Sequence, residues 1–337
     1  MQNNEIKNQL LSSTSSSSNK TLLIALTGAT GFIGSTLLTK LTDNGWHVRS
    51  LYRHKKGRTP KKSAGVEWLA GELNDENTLD TLVNDVDVVI HCAGAVRGIN
   101  QTDFDQVNEA GALQIAKAVS RQARVPKFLL LSSLAAREPQ LSFYAGSKWR
   151  GEQAIKSALK DFNWTIIRPP AVFGPGDKEL LPLFQSIAKG FAPIPAGKNR
   201  RFSMIYVDDV ASAIIHCISN DIGCGKTYEI DDGQPNGYDW DKVLTISAKV
   251  LRNGAAVRKI PVPITLLNLF ALINFNLAKL LGYAPMLTPG KINEITHTNW
   301  VCNHKEFDQM NGWQPTFGLE TGLAEIFNAN SAKFKVG

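Results

Sequence analysis

Short apolar runs alternate along the chain with longer segments of helical spacing. Thr21–Thr27 (TLLIALT) is a continuous apolar run ending at Gly28, the pattern of a strand buried on both faces. Phe32–Asn44 has helical spacing and stops at Gly45, and His47–Tyr52 follows as a second strand. Glu76–Val83 reads as a helix and Asp87–His91 as a buried strand. Phe104–Ala123 is again helical, Lys127–Leu131 a strand, Tyr144–Leu159 a helix and Trp164–Ile167 a strand. Strands and helices alternating in this order predict an α/β protein with a doubly wound parallel sheet.

After Arg168 the texture changes. Prolines and glycines become frequent from Pro169 to Pro195, and the regular alternation fades. The expected organisation is a flexible Ser-rich tail over 1–20, a sheet domain over 21–174, and a smaller domain over 175–337. That smaller domain supplies the substrate side, with some elements returning to the main sheet. Within it, Ile264–Leu281 (ITLLNLFALINFNLAKLL) is too polar and too short to read as a transmembrane helix. Asn268, Asn276 and Lys279 fall on one narrow face and leave a broad apolar one. The first reading is a helix packed into the core; the second is a helix that lines a lipophilic pocket or makes peripheral contact with a membrane.

Composition narrows the class without changing this picture. With 337 residues, 43% hydrophobic and 20% charged, the chain buries a core large enough to need neither disulfides nor a structural metal. The net charge of +7 raises the question of nucleic acid. However, Arg53, Lys55, Lys56, Arg58, Lys61 and Lys62 lie within ten residues, at the end of the second strand. That position favours an anionic small ligand, and no nucleic-acid partner is expected. The four cysteines lack CxxC spacing and the six histidines lack HxH or HExxH spacing, so no metal site is expected. The N-terminus has no continuous apolar region of a signal peptide, which makes a reducing cytoplasmic setting the simplest one.

Two constellations carry chemistry. Gly28-Ala29-Thr30-Gly31-Phe32-Ile33-Gly34 joins the first strand to the first helix. Its glycines permit a tight turn, a close approach of backbone to a pyrophosphate and tight helix–strand packing; the anion then sits at the positive end of the helix. NAD-preferring sites place an acid at the end of the second strand, but here Leu51-Tyr52-Arg53 offers none. Arg53 suits a 2′-phosphate, so NADP(H) is expected ahead of NAD(H). The second constellation is Tyr144 and Lys148, one helical turn apart, with Ser132-Ser133 ending the preceding strand. A lysine ammonium near a phenol lowers its pKa toward working pH, and a serine hydroxyl holds a substrate carbonyl beside it.

These features, with Gly71-Glu72-Leu73-Asn74-Asp75, His91–Ala95, Val107-Asn108, Arg168-Pro169…Gly174–Asp177 and Val207–Val210 in the expected order, resemble the extended short-chain dehydrogenase/reductase superfamily. The likeness covers roughly residues 21–325 and is nearest to hydroxysteroid-dehydrogenase-like and dihydroflavonol-reductase-like members. It implies a Rossmann domain in which Ser133, Tyr144, Lys148 and Asn108 are catalytic. It also implies that Gly28, Thr30, Gly31, Phe32, Ile33 and Gly34 hold the pyrophosphate and that Arg53 faces the adenosine ribose. Leu73 and Asp75 then approach the adenine, Ala93 and Gly94 pass beneath the cofactor, Tyr144 and Lys148 reach the nicotinamide ribose, and Pro169 and Val172 approach the carboxamide. The implied activity is NAD(P)H-dependent interconversion of a secondary alcohol and a ketone on a hydrophobic small molecule. The alternatives are a sugar-nucleotide epimerase or dehydratase and a non-catalytic NADPH-binding subunit. Glu72 replaces the usual aspartate, and Ala135-Ala136-Arg137 replaces the tyrosine–glycine step of sugar-nucleotide members, which argues against the epimerase. The resemblance also implies a homodimer formed through the helices at 104–123 and 144–159, with Lys148, Trp149, Arg150 and Glu152 leaving the outer face ambiguous.

Overall fold

The computed structural model describes residues 21–54, 59–197, 199–220, 222–305, 307 and 312–329. The expected tail over 1–20, and Lys55, Lys56 and Arg58 of the basic run, lie outside the described residues. The first half of the chain forms β1 (Leu23–Thr27), α1 (Phe32–Asp43), β2 (His47–Tyr52), β3 (Val66–Ala70), α2 (Glu76–Val83) and β4 (Val88–His91). Then come α3 (Gln101–Asp105), a π-helical turn (Gln106–Ala110), α4 (Gly111–Ser120), β5 (Lys127–Leu131), α5 (Phe143–Ala158) and β6 (Trp164–Arg168). The predicted helix over 104–123 is therefore broken at its first turns, where the π turn carries Asn108.

The remainder contains β7 (Ala171–Phe173), α6 (Leu181–Ala188), β8 (Phe191–Pro195), β9 (Arg201–Phe202), β10 (Met204–Tyr206), α7 (Val207–Ser219) and β11 (Lys226–Glu229). It continues with α8 (Trp240–Leu251), β12 (Arg258–Val262), α9 (Ile264–Leu281), α10 (Pro289–Thr296), β13 (Asn299–Trp300) and α11 (Leu319–Ala329).

Among the described residues, seven strands form the main sheet in the order β11-β6-β5-β4-β1-β2-β3, and every pairing in it is parallel. The chain winds outward from β1 to β3, returns to β4 and winds the other way. The crevice where ligands bind such a sheet therefore opens between the ends of β1 and β4. β3, with only part of its surface buried, is an edge strand that the apolar pattern alone does not reveal. β11 brings the chain back to the main sheet, beside β6.

Strand side chains alternate between two cores. Ile24, Leu26, Leu129 and Leu131 face one side, against Leu37 and Leu41 of α1 and Val210, Ile214 and Cys217 of α7. Ala25, Phe128 and Leu130 face the other, against Leu79 of α2, Ile115 of α4 and Ile155 of α5. This period-two alternation, with apolar residues on both faces, explains why the strands read as continuous hydrophobic runs. A third core brings Phe173, Tyr206 and Tyr238 together with Phe184 of α6, Leu244 of α8 and Leu323 of α11. Asp209, within the Val207–Val210 motif, is buried and accepts the backbone N–H groups of Thr316 at 3.0 Å and Phe317 at 2.9 Å, which fixes the entry to α11.

The expectation of a core-packed helix over 264–281 is overturned. Only Ala271 and Ala278 of α9 are buried, and Leu280 and Leu281 are 81% and 68% exposed. Alanine at those two positions lets the helix lie close to the body, while its large side chains point into solvent.

Candidate active site

The crevice is built by close backbone packing. A Cβ on Gly28, whose φ is +78°, would stand 2.6 Å from the Ala93 nitrogen, so the turn after β1 and the loop after β4 touch directly. A Cβ on Gly34 would collide with the Gly28 carbonyl oxygen, which is why α1 can start so close to β1. Gly31 is the N-cap of α1; no side chain caps this end and its first turn holds no acid. The first-turn N–H groups, at the positive end of the helix, are thus suited to a diphosphate. Thr30, Phe32 and Ile33 complete this turn, and the Gly174–Asp177 loop comes over it, with the Gly176 Cβ position 3.6 Å from the Phe32 ring. These features fit a dinucleotide.

Arg53 is exposed at the tip of β2, where such a dinucleotide would present its adenosine ribose. Leu73 packs against Gly111 of α4. The Asp75 carboxylate is the N-cap of α2, accepting the Thr78 N–H and hydroxyl, and these bonds hold it below the usual carboxylate range. The structure therefore gives Asp75, which is exposed, a capping role at the start of α2. Pro169 is buried and its carbonyl accepts the Leu134 N–H at 2.9 Å, while Val172 lies in β7.

Ser133 and Tyr144 meet although eleven residues separate them. A 3₁₀ turn over Leu134–Arg137 follows β5, with Ser133 as its N-cap, and Ser142 then caps α5. The intervening chain folds back so that the Ser133 side chain hydrogen-bonds the Tyr144 phenol. Asn108 is buried at the centre of a network. It accepts the Ala95 N–H at 2.8 Å and donates to the Ala95 carbonyl at 2.9 Å and the Ser147 hydroxyl at 2.8 Å. It thereby fixes the loop after β4 to α5, and the Gly94 Cβ position is 3.2 Å from its Oδ1. Gly151 permits the crossing: a Cβ there would strike the Asn108 carbonyl oxygen.

Lys148 is buried, and its Nζ donates to the Leu131 carbonyl at 2.8 Å, 3.6 Å from the Gly94 Cβ position. Burial pulls its pKa down to about 8, against the opposing pull of Glu152. The expectation that this ammonium brings the phenol down to working pH is not what the structure shows. Burial raises the Tyr144 pKa above the ordinary tyrosine value, the Ser133 hydrogen bond lowers it, and Glu294 raises it again. The foremost cationic influence on the phenol is Lys291 of α10. Lys291 pairs with Glu294 at 3.0 Å, and Glu294 also accepts the Ser142 hydroxyl. A phenol in these surroundings stays protonated at neutral pH.

Several of these groups were not anticipated. Glu152, grouped with Lys148 on an ambiguous outer face, is fully buried, as Lys148 is. It accepts two hydrogen bonds from Arg168 and one from Ser132, so Ser132 supports the site from beneath and Ser133 alone reaches the phenol. Its spacing of four from Lys148 and eight from Tyr144, on one helical face, was the available signal. Arg150 is engaged by Asp105 and by Glu109 at 2.7 Å, and Trp149 remains exposed. His91 at the end of β4 is buried against Thr27, with Nδ1 2.8 Å from the threonine hydroxyl, and burial lowers its pKa to about 3. Lys291 and Glu294 carry no motif and come from a distant helix.

Comparison with known proteins places this geometry. Residues 24–231 match the model of the NAD-dependent epimerase/dehydratase family. The chain is 36% identical over 302 residues to a ceramide reductase of Caulobacter vibrioides, covering 89% of this chain and 92% of that protein. It is 25% identical to a UDP-glucose 4-epimerase of Vibrio cholerae, over 91% of this chain and 94% of that protein. Among solved structures, a UDP-glucose 4-epimerase of Thermotoga maritima superposes with a TM-score of 0.70 at 17% identity, covering 93% of this chain and all of that one. The family match spans well over half of the chain and the reductase likeness nearly all of it, so the chain belongs to the NAD-dependent epimerase/dehydratase family and is an oxidoreductase of the extended short-chain type.

Proposed function

We propose that the protein is an NADP(H)-dependent reductase of a ketone in a long-chain lipid, of the ceramide class or close to it in chemistry. The observation that carries this reading is the pairing of a protonated Tyr144 phenol with the Ser133 hydroxyl at the mouth of the crevice. The near-full-length likeness to a ceramide reductase supports the lipid. Arg53 at the tip of β2, where no carboxylate stands, supports the 2′-phosphate.

Gly28, Gly31, Gly34 and the first turn of α1 would hold the pyrophosphate, Arg53 the adenosine end, and Lys148 with Tyr144 the nicotinamide ribose. When bound, a reduced nicotinamide supplies the hydride. Ser133 donates a hydrogen bond to the substrate carbonyl oxygen and aligns it with the phenol. Tyr144 gives its proton to that oxygen as negative charge develops on it, and a raised phenol pKa keeps the proton available for this transfer. Asn108 and Lys148 keep the loop after β4 and the end of β5 in register beneath the reacting atoms. Arg97 bridges to Glu179 at 2.6 Å across the rim.

The test is consumption of NADPH and of NADH with long-chain lipid ketones and, separately, with UDP-sugars. NADPH oxidation on the lipid ketone, about tenfold faster than with NADH, is the expected result. The 25% likeness to an epimerase gives the second reading its support. UDP-sugar epimerisation with nucleotide retained through purification would establish that second reading and end the first. Failure on every carbonyl would favour a protein that binds the nucleotide without turnover.

A further inference from the structure

α9 is built the wrong way round for a helix of a water-soluble body. At about 100° per residue, Leu269, Phe270, Ile273, Leu277, Leu280 and Leu281 fall within an arc of roughly 120°. All six are large, apolar and exposed. The buried pair, Ala271 and Ala278, lies well to one side of that arc. The helix is thus seated on small residues and turns its most hydrophobic surface to solvent, and Ile264 at its start, Ile260 of β12 and Phe191 of β8 are exposed too. An apolar surface this continuous needs a cover.

The charge pattern identifies the cover. Between residues 242 and 293 the chain has seven lysines and arginines and no aspartate or glutamate. Lys249, Lys259 and Lys291 pair with Glu320, Asp241 and Glu294, which leaves Lys242, Arg252, Arg258 and Lys279 as the cations of this region outside those ion pairs. Arg258 is exposed on β12, which leads directly into α9, and Lys279 lies over the Phe275 ring on α9 itself. An arc of leucine, isoleucine and phenylalanine with Arg258 and Lys279 near it complements an anionic bilayer surface. Both ends of α9 are held to the folded body: β12 pairs with β8 at one end, and α10 packs against α9 at the other. Asn274 donates to the Leu287 carbonyl at 2.9 Å and accepts the Tyr283 hydroxyl at 2.6 Å, which closes the turn between the two helices. The helix is long and apolar enough to cross a bilayer, but with both ends held to one folded body it is placed to lie along a surface.

We infer that α9 docks the protein on anionic membranes, with its Leu269–Leu281 arc sunk into the interface and Arg258 and Lys279 at the headgroups. α10, packed behind α9, carries the Lys291 and Glu294 that act on the Tyr144 phenol, so the bilayer surface is one helix away from the chemistry. Docking stands independently of any activity; entry of a lipid substrate from the bilayer rests on the function proposed above.

The experiment is co-sedimentation of the full chain with phosphatidylcholine vesicles, with and without phosphatidylglycerol, at low salt and at about 0.5 M salt. The wild type is expected to sediment with the anionic vesicles, about tenfold less with neutral ones, and less at high salt. Leu277→Gln/Leu280→Gln, at two exposed positions, is expected to lower binding by about tenfold or more with an unchanged circular dichroism melt. Arg258→Gln/Lys279→Gln should abolish only the preference for anionic vesicles. A wild type that stays in the supernatant, or a leucine variant that binds as well as wild type, overturns the inference. A dimer on gel filtration that the leucine variant dissociates also overturns it, because the cover would then be a second copy. None of these readouts involves turnover, so failure here leaves the proposed reaction standing, and the reverse.

Discussion

Arg168 holds Glu152 through two parallel hydrogen bonds, from Nε at 2.8 Å and Nη2 at 2.6 Å, and the carboxylate beneath them is wholly buried. With Ser132 on the same carboxylate, this pair ties α5, β5 and β6 together directly under Ser133 and Lys148. Such a pair adds little stability as a unit, but removing one partner strands the other charge. Glu152→Ala should therefore destabilise the protein by roughly 3–5 kcal/mol in chemical denaturation, and Glu152→Met with Arg168→Leu should recover most of that loss.

Lys148 makes stability depend on pH in a definite direction. Its folded pKa of about 8 lies below the ordinary lysine value of 10.5, so between these values the unfolded chain holds the extra proton. The contribution of Lys148 to unfolding free energy therefore rises with pH from about 8 to 10.5 and is flat below 8, where the buried ammonium costs its full penalty. The difference between the wild-type and Lys148→Met stability curves should show this rise, on the order of 3 kcal/mol in all. A difference curve that is level across that window would contradict the burial of the ammonium.

The cradle admits no side chain at its tightest point. Gly34→Ala would drive a methyl group into the Gly28 carbonyl and push α1 away from β1. Nucleotide binding followed by fluorescence titration should fall by about 100-fold or more, while the core around Tyr206, Tyr238 and Leu244 keeps its packing.

What could be read from the sequence was what has a period or a local motif. β1, β4 and β5 are buried on both faces, so their apolar runs are unmistakable; the glycines of 28–34 and the Tyr144…Lys148 spacing are local. β3 was missed although Val66, Trp68, Leu69 and Ala70 are apolar: it is short, follows the basic loop and, as an edge strand, has no fully buried residue to mark it. The placement of α9 was misjudged because apolar composition does not state what covers a helix. Glu152 was legible in principle, on the Tyr144–Lys148 face of α5. Lys291 and Glu294 were not: 147 positions separate Lys291 from Tyr144, and only tertiary packing joins them.

Lys291 is expected to tune the phenol. Of the groups acting on Tyr144 it is the leading cation, and it lowers the phenol pKa. Removing it with Lys291→Met should raise that pKa further, because Glu294 then acts on the phenol unopposed. The alkaline limb of the kcat profile for reduction should move to higher pH, and alcohol oxidation at neutral pH should slow. An unmoved limb would mean that Lys291 is structural only.

The account rests on Tyr144 as the proton donor, and Tyr144→Phe tests it most directly when NADPH binding and NADPH oxidation on a long-chain lipid ketone are measured on the same preparation. The ring keeps its edge-on packing with Phe104, at 6.3 Å between centroids, so the fold is undisturbed. The predicted result is binding within about twofold of wild type and turnover reduced by about a thousandfold or more. Turnover retained within about tenfold would contradict the account, because the proton would then come from another group.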